Sequence, residues 1–283
     1  MTAPRAWRFG LVGHPVAHSL SPRLFALLNS PGEYALHDVP PEALPGWLST
    51  TGRTLDGFNV TVPHKASVAT FCETLHSDAR RIGAVNCVRV APGGALVGGN
   101  SDITGFEVAL GPAPVHRAVV LGAGGAARAV VEVLLRRGAV SIDLVNRSTA
   151  RTAGLMDTRT PEERQRLRAR PLDELAQAVS DVELVVQCTS AALSEPGAFG
   201  TLPWHRTAAC ARALELVYRP RETAFLRGAV AAGRQAEDGL TMLAAQAVAA
   251  LAFFTAPEGA PTPIADLAGR SRALAERLRT SVD

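Results

Sequence analysis

One lysine occurs in this chain of 283 residues, and every other member of its 29 basic side chains is arginine. Lys65 closes the stretch Asn59-Val60-Thr61-Val62-Pro63-His64-Lys65. Arginine stays protonated in proteins, whereas a lysine ammonium can be moved toward neutrality by burial and neighbours and can exchange a proton. A composition that uses arginine wherever a plain positive charge suffices therefore marks Lys65 as a candidate proton-transfer group. The plain alternative is a single codon that has not drifted. A carboxylate stands at Asp102, in Gly98-Gly99-Asn100-Ser101-Asp102. It suits a helix N-cap, or the partner that holds a lysine in a polar site. Asn86 lies inside the apolar run Gly83 to Val88. A buried amide there needs partners or a ligand, because an unsatisfied one costs about 1–3 kcal/mol. Two hydroxyls, Ser19 and Ser21, precede a helical stretch from Arg23 to Leu28. Ser21 before Pro22 reads as a capping residue followed by a first-turn proline. Ser19 has no such local duty, and paired hydroxyls beside a helix N-terminus suit a substrate carboxylate.

The elements that must present these groups follow from periodicity. Phe9 to Val12 reads as a strand, as does Tyr34 to Val39, and a helix is expected from near Pro41 to before Gly52. Gly57 to Val62 alternates, with Phe58, Val60 and Val62 on one face and Asn59 and Thr61 on the other. Asn59, Thr61 and Lys65 are thus delivered together at the C-terminal end of a strand, where open α/β sheets bind ligands. A helix is expected from Lys65 to Glu73, and further strands at Gly83 to Val88 and Ala95 to Val97.

Beyond the linker Gly111-Pro112-Ala113-Pro114 the pattern changes. Ala118 to Leu121 reads as a buried parallel strand. Gly122-Ala123-Gly124-Gly125-Ala126-Ala127 is its glycine-rich turn, followed by a helix from Arg128 to Arg137 and a strand from Ile142 to Val145. This βαβ unit has the turn that lets backbone approach a dinucleotide pyrophosphate. An NAD-preferring site carries an acidic residue at the end of the second strand, to hold the ribose 2′-hydroxyl. Here stand Asn146, Arg147 and Ser148, with Arg151 one turn beyond. Two guanidinium groups and a hydroxyl suit a 2′-phosphate, so NADP is the cofactor implied; the alternative is two surface arginines. Later strands are expected at Val182 to Val186 and Leu214 to Val217, with a helix at Ala224 to Ala232. A last apolar helix opens at Gly239 to Gln246 and runs to Phe254, where Gln246 shares a face with Met242, Leu243 and Ala250 and interrupts the core-facing stripe.

Composition narrows the class. With 47% hydrophobic and 19% charged residues the chain is that of a soluble globular protein, which excludes disorder. The net charge of +3 comes from scattered arginines. The densest group, Arg164 to Arg170, reads as a solvated helix face with Glu162 and Arg166 four residues apart, and no nucleic-acid partner is expected. Cys72, Cys87, Cys188 and Cys210 are irregularly spaced, so neither a metal site nor a disulfide framework is implied. Met1 to Arg8 lacks an apolar signal core, and Leu243 to Phe254 is too short to span a bilayer. A cytoplasmic protein with no membrane association is expected.

Taken together, GHPVAHSLSP (Gly13 to Pro22), NVTVPHK (Asn59 to Lys65), GAVN (Gly83 to Asn86), GNSD (Gly99 to Asp102), GAGGAA (Gly122 to Ala127), NRS (Asn146 to Ser148), YRPRET (Tyr218 to Thr223) and GLTMLAAQ (Gly239 to Gln246) resemble the shikimate dehydrogenase family, in that family's order over nearly the whole chain. The resemblance implies that Lys65 and Asp102 are the catalytic pair and that Ser19, Ser21 and Tyr218 surround the substrate carboxylate. Thr61, Asn86 and Gln246 would complete the pocket. It further implies that Gly122 to Ala127 hold the pyrophosphate, that Asn146, Arg147, Ser148 and Arg151 surround the adenosine phosphate, and that Gly239 belongs to the cofactor site. The activity implied is NADP-dependent interconversion of 3-dehydroshikimate and shikimate, in chorismate and aromatic amino acid biosynthesis. Alternatives are an NAD-preferring quinate or quinate/shikimate dehydrogenase and a non-catalytic NADP-binding sensor. The substrate is a small molecule, and a homodimer is compatible with the family. Departures fall at Phe25, where the family often has His, at Cys87 and Ser101 (Thr), Gln187 (Asn), Ala192 (Gly) and Glu215 (Asp). Cys87 and Ser101 adjoin substrate positions, and Gln187 and Ala192 are expected near the nicotinamide. The architecture expected is α/β in two domains. Residues 1–106, completed by C-terminal helices within 239–283, would bind substrate; residues 107–238 would form a doubly wound Rossmann-type dinucleotide domain, with the active site in the cleft between.

Overall fold

The computed structural model describes residues 6–255 and 264–282, so the leader reading at Met1 falls partly outside the described residues. The chain divides into two compact units, each built on a six-stranded sheet. The first unit takes the described residues up to Ala109 and those from Leu243 onward. Its strands are β1 (Trp7–Gly13), β2 (Gly32–Asp38), β3 (Gly57–Val60), β4 (Thr74–Leu75), β5 (Cys87–Val90) and β6 (Leu96–Gly99), in the order β2-β1-β3-β5-β6-β4. β1 is parallel to β2 and β3, whereas β5 runs antiparallel to both β3 and β6. Val12, Phe58, Val60, Val68, Val85, Val88 and Leu96 fill one core of this unit. The C-terminal part of the helix Leu240–Thr255 returns to the same sheet: Phe254 stacks on Phe9 with ring centroids 5.4 Å apart. A Cβ at Gly57 would stand 2.6 Å from the Phe254 ring, so the strand accepts that helix only with glycine at this position.

The second unit spans Leu110–Met242. Its strands β7 (Arg117–Leu121), β8 (Ser141–Val145), β9 (Leu167–Arg170), β10 (Leu184–Gln187), β11 (Arg212–Glu215) and β12 (Gln235–Glu237) are all parallel, in the order β12-β11-β10-β7-β8-β9. Their near-continuous apolar runs are those of strands covered on both faces. Val119, Leu121, Val145, Val185, Ala213 and Phe225 share its core. Strand order reverses between β7 and β10, which makes the C-terminal ends of these two strands the switch point of a doubly wound sheet.

Several local expectations are corrected. The alternating strand stops at Val60, and Val62 is 66% exposed; Pro63 has no N–H to continue the ladder. The helix begun by Lys65 ends at Ala69, and Glu73 instead accepts from Arg53 Nη2 at 2.8 Å and the Leu96 N–H at 2.6 Å. Asn86 lies just before β5. Arg164 to Arg170 is no helix face: Thr160 and Glu163 form a capping box on the single turn Pro161–Arg164, after which Leu167–Arg170 pairs with β8 as an edge strand. The helix after the glycine-rich turn opens at Gly125, three residues earlier than its periodicity indicates, because small residues form its first turn. Ser21 is the first residue of the helix Ser21–Leu27, and its hydroxyl caps no helix N–H.

Candidate active site

Lys65 opens the helix Lys65–Ala69, and Asp102 opens the helix Asp102–Leu110. Lys65 Nζ donates to Asp102 Oδ2 at 2.5 Å, the two side chains being 16% and 6% exposed. An ion pair so nearly removed from water survives only if its remaining valences are met. Asn86 engages the second carboxylate oxygen: its Nδ2 donates to Asp102 Oδ1 at 2.8 Å and to Ser101 Oγ at 3.0 Å, while its Oδ1 accepts the Ser101 N–H at 2.6 Å. Both carboxylate oxygens of Asp102 are thereby engaged by side chains. The cap reading gives way to the lysine-partner reading. The main chain braces the same groups, with the Val85 N–H donating to the Lys65 carbonyl at 2.8 Å. Gln246 adds an acceptor: its Oε1 lies 3.3 Å from Asn86 Nδ2 and 3.4 Å from Ser101 Oγ. The polar break in its helix thus belongs to this network.

Thr61 directly follows β3, and its N–H donates to the Val12 carbonyl at 2.9 Å. A Cβ on Gly13 would stand 2.3 Å from Thr61 Cγ2, so glycine at the end of β1 is what admits the threonine. Ser19, rather than Ser21, makes the local bond to the main chain. Ser19 Oγ accepts the Ser21 N–H at 3.2 Å and donates to Ser21 Oγ at 3.1 Å, leaving the Ser21 hydroxyl without a capping role. Sequence reasoning missed Tyr34, whose hydroxyl donates to Asn59 Oδ1 at 2.9 Å while Asn59 Nδ2 donates to the Asn86 carbonyl at 3.3 Å. Burial raises the Tyr34 pKa well above the usual phenol value, opposed by a hydrogen bond with Ser21. Tyr34 therefore links the serine pair to the strand leading to Lys65. The available signal was composition, since the chain has only two tyrosines.

The departures are mostly interior. Phe25 packs against Tyr34 with ring centroids 4.1 Å apart. Cys87 is buried, and burial pushes its thiol up to about 12. Ser101 joins the network around Asn86, and Cys87 lies in hydrogen-bonding contact with Ser101.

In the second unit the glycine-rich turn joins β7 to the helix Gly125–Arg136 at the switch point. Gly122 has φ +108°, and a Cβ there would meet Thr189 Cγ2 at 2.9 Å. No atom lies within 4 Å of a Cβ built on Gly124, which caps the helix, so open space adjoins the helix N-terminus. Such a cradle of main-chain N–H groups fits a pyrophosphate. At the end of β8, Asn146 Nδ2 donates to the Ser148 carbonyl at 2.9 Å, and Ser148 Oγ caps the helix Thr149–Met156 by accepting the Arg151 N–H at 3.4 Å. Arg147 and Arg151 are exposed, and residues 146–151 contain no carboxylate. Tyr218 lies in the loop after β11. A Cβ at Gly239 would stand 2.3 Å from the Leu216 carbonyl oxygen of that loop. Gln187 and Glu215 end β10 and β11 as register partners and are buried, so Gln187 serves the interior, its Oε1 accepting the Thr189 N–H at 2.8 Å.

A lysine–carboxylate pair set among hydroxyl and amide side chains in one unit, with a doubly wound dinucleotide-type sheet in the other, points to the class of dehydrogenases that act on an alcohol carbon. Comparison with known proteins makes the assignment specific. Residues 11–88 match the family model of the shikimate dehydrogenase substrate binding domain, and residues 109–194 that of shikimate / quinate 5-dehydrogenase. The chain belongs to the shikimate dehydrogenase family. It is similar to the shikimate dehydrogenase (NADP(+)) of Thermus thermophilus, 40% identical over 93% of this chain and 98% of the relative. It is also similar to that of Methylobacterium radiotolerans, 39% identical over 95% and 99%. Among solved structures, the Thermus thermophilus enzyme in complex with NADP(H) and shikimate superposes with a TM-score of 0.76, at 36% identity over 95% of this chain and 99% of the other. The Mycobacterium tuberculosis shikimate dehydrogenase does so at 0.77 and 30% identity over 94% and 99%.

Proposed function

We propose that this protein interconverts 3-dehydroshikimate and shikimate with NADP(H). The observation that carries this reading is the bond from Lys65 Nζ to Asp102 Oδ2, with Asn86 Nδ2 donating to the other carboxylate oxygen. When bound, NADP(H) supplies or accepts the hydride. The chain's task is then to hold the ring and move one proton. In the reducing direction the carbonyl oxygen gains a proton from Lys65 Nζ, and in the oxidising direction Lys65 takes the hydroxyl proton back. A positioned general acid or base of this kind contributes about 10²–10⁴-fold. Asp102 keeps the lysine on station, and Asn86 keeps Asp102 on station. Ser19 and Ser21 are assigned to the substrate carboxylate together with Tyr218; Thr61, Asn86 and Gln246 are assigned to the remainder of the substrate site.

For the cofactor, Gly122, Ala123, Gly124, Gly125, Ala126 and Ala127 are assigned to the pyrophosphate, and Gly239 is assigned to the cofactor site. Asn146, Arg147, Ser148 and Arg151 are assigned to the 2′-phosphate. Support comes from the open space at Gly124 and from the two exposed guanidinium groups in a stretch, residues 146–151, that contains no carboxylate. The four cysteines are free, in keeping with a reducing cytoplasm. Absorbance at 340 nm with shikimate or quinate, each offered with NADP⁺ or NAD⁺, tests the whole reading. Turnover confined to shikimate with NADP⁺ is expected. Quinate turnover with NAD⁺ would shift the assignment to a quinate dehydrogenase, and dinucleotide binding without any turnover would favour a sensor.

A further inference from the structure

The helix Gly125–Arg136 buries a charge in the middle of its apolar face: Glu132 is 0% exposed, among Val130, Val131, Val133 and Leu134. A lone buried carboxylate costs several kcal/mol, and this one is matched from two directions. Arg136 Nε, one turn later, donates to Oε1 at 2.6 Å. Arg159 Nη1, whose side chain is also 0% exposed, donates to Oε2. Arg159 belongs to the chain just after the helix Thr149–Met156, where its N–H donates to the Met156 carbonyl at 3.0 Å. The two helices are tied twice more. Arg159 Nη2 donates to the Arg128 carbonyl at 3.2 Å, and Arg128 Nη2 donates to the Gly154 carbonyl at 3.2 Å. Burial, then the charge of Arg159, holds the Arg128 guanidinium below its usual value.

The placement of these ties gives them a consequence. Arg128 lies three residues into the helix that opens on the glycine-rich turn, and Gly154 lies three residues after Arg151. At 1.5 Å of rise per residue each attachment is about 4.5 Å along its helix from a residue assigned to the cofactor. Resting on the cofactor reading above, we infer that Arg128, Glu132 and Arg159 are positioning residues: they set the helix carrying Arg151 against the helix carrying the pyrophosphate cradle, and so determine the preference for a 2′-phosphate.

Adenosine 2′,5′-bisphosphate and adenosine 5′-monophosphate differ only in that phosphate, and their dissociation constants can be measured by calorimetry without turnover. Wild-type protein is expected to prefer the bisphosphate. Arg128→Met, which removes the tie to Gly154 and leaves the Glu132–Arg159 pair intact, should weaken bisphosphate binding roughly tenfold and monophosphate binding less than about twofold, because small misplacements of a charge-assisted contact are costly. Arg159→Lys keeps a cation for Glu132, loses the bond to the Arg128 carbonyl, and should shift the same ratio. If Arg159→Lys does not fold, Arg128→Met decides. Equal weakening of both nucleotides, or an unchanged ratio in a folded variant, overturns the inference while leaving the cofactor reading standing. A wild type that binds both nucleotides equally overturns the two together.

Discussion

Lys65 and Asp102 were legible as a pair because their residue types are unusual for their settings: a sole lysine, and a carboxylate after a polar insertion. Their bond closes across 37 positions of sequence, with Asn86 as the third member. Lys65→Arg keeps the charge and the pairing partner but removes an ammonium able to cycle its proton. The expected result is a kcat lowered by about 10²-fold or more with an unchanged melting temperature; a kcat near wild type would remove Lys65 from the proton step. Less was legible at Ser101 and Tyr34. A serine beside an aspartate and a tyrosine opening a strand carry no local signal of the hydrogen bonds they make, since those depend on Asn86, Asn59 and Gln246 arriving from elsewhere.

At the scale of elements, the βαβ turn was read correctly in kind and misjudged at its boundary, because Gly125, Ala126 and Ala127 carry little helical periodicity yet form the first helical turn. The two glycines on either side of Ala123 serve different ends. Gly122 is required by its φ of +108° and by Thr189, whereas Gly124 has an ordinary φ of −83° and only keeps space open. Gly122→Ala should destabilise the protein by about 1–3 kcal/mol. Gly124→Val should leave the melting temperature nearly unchanged but abolish measurable NADPH binding in a fluorescence titration. Tight NADPH binding by Gly124→Val would mean that the turn is not the cradle. The arginine run at Arg164 to Arg170 shows the opposite limit. Glu162 and Arg166 have helical spacing, but pairing of Leu167–Arg170 with β8 overrides it.

For the whole molecule, the pH dependence of stability contains a contribution from Glu215. Burial raises its pKa from 4.5 to about 7, against opposing hydrogen bonds from Thr223 and the Val217 N–H. Below the unfolded value both states hold the proton. Between the two values the native state binds more protons than the unfolded chain, so stability falls as pH rises, and above about 7 the loss is complete. The full effect is about 3 kcal/mol. Glu215→Gln retains an acceptor for Thr223 and removes the titration. Urea unfolding from pH 5 to 8 should show wild type losing stability relative to this variant as pH rises; parallel curves would show that Glu215 does not titrate in this range.

Sequence alone determined which groups are on offer: a sole lysine, a carboxylate after a polar insertion, paired hydroxyls, a glycine-rich turn between strand and helix, and arginines in place of an acidic residue after β8. These are readable because each depends on residue type and on spacing within one or two turns of chain. Tertiary structure alone decided which partners those groups take. Asn86 reaches Gln246 across 160 positions, and Ser19 rather than Ser21 accepts the local N–H. It also decided that β5 enters the first sheet antiparallel, placing Asn86 and Asp102 beside Lys65. Strand order and side-chain hydrogen bonding are long-range choices, settled by which surfaces bury one another, and no local pattern records them.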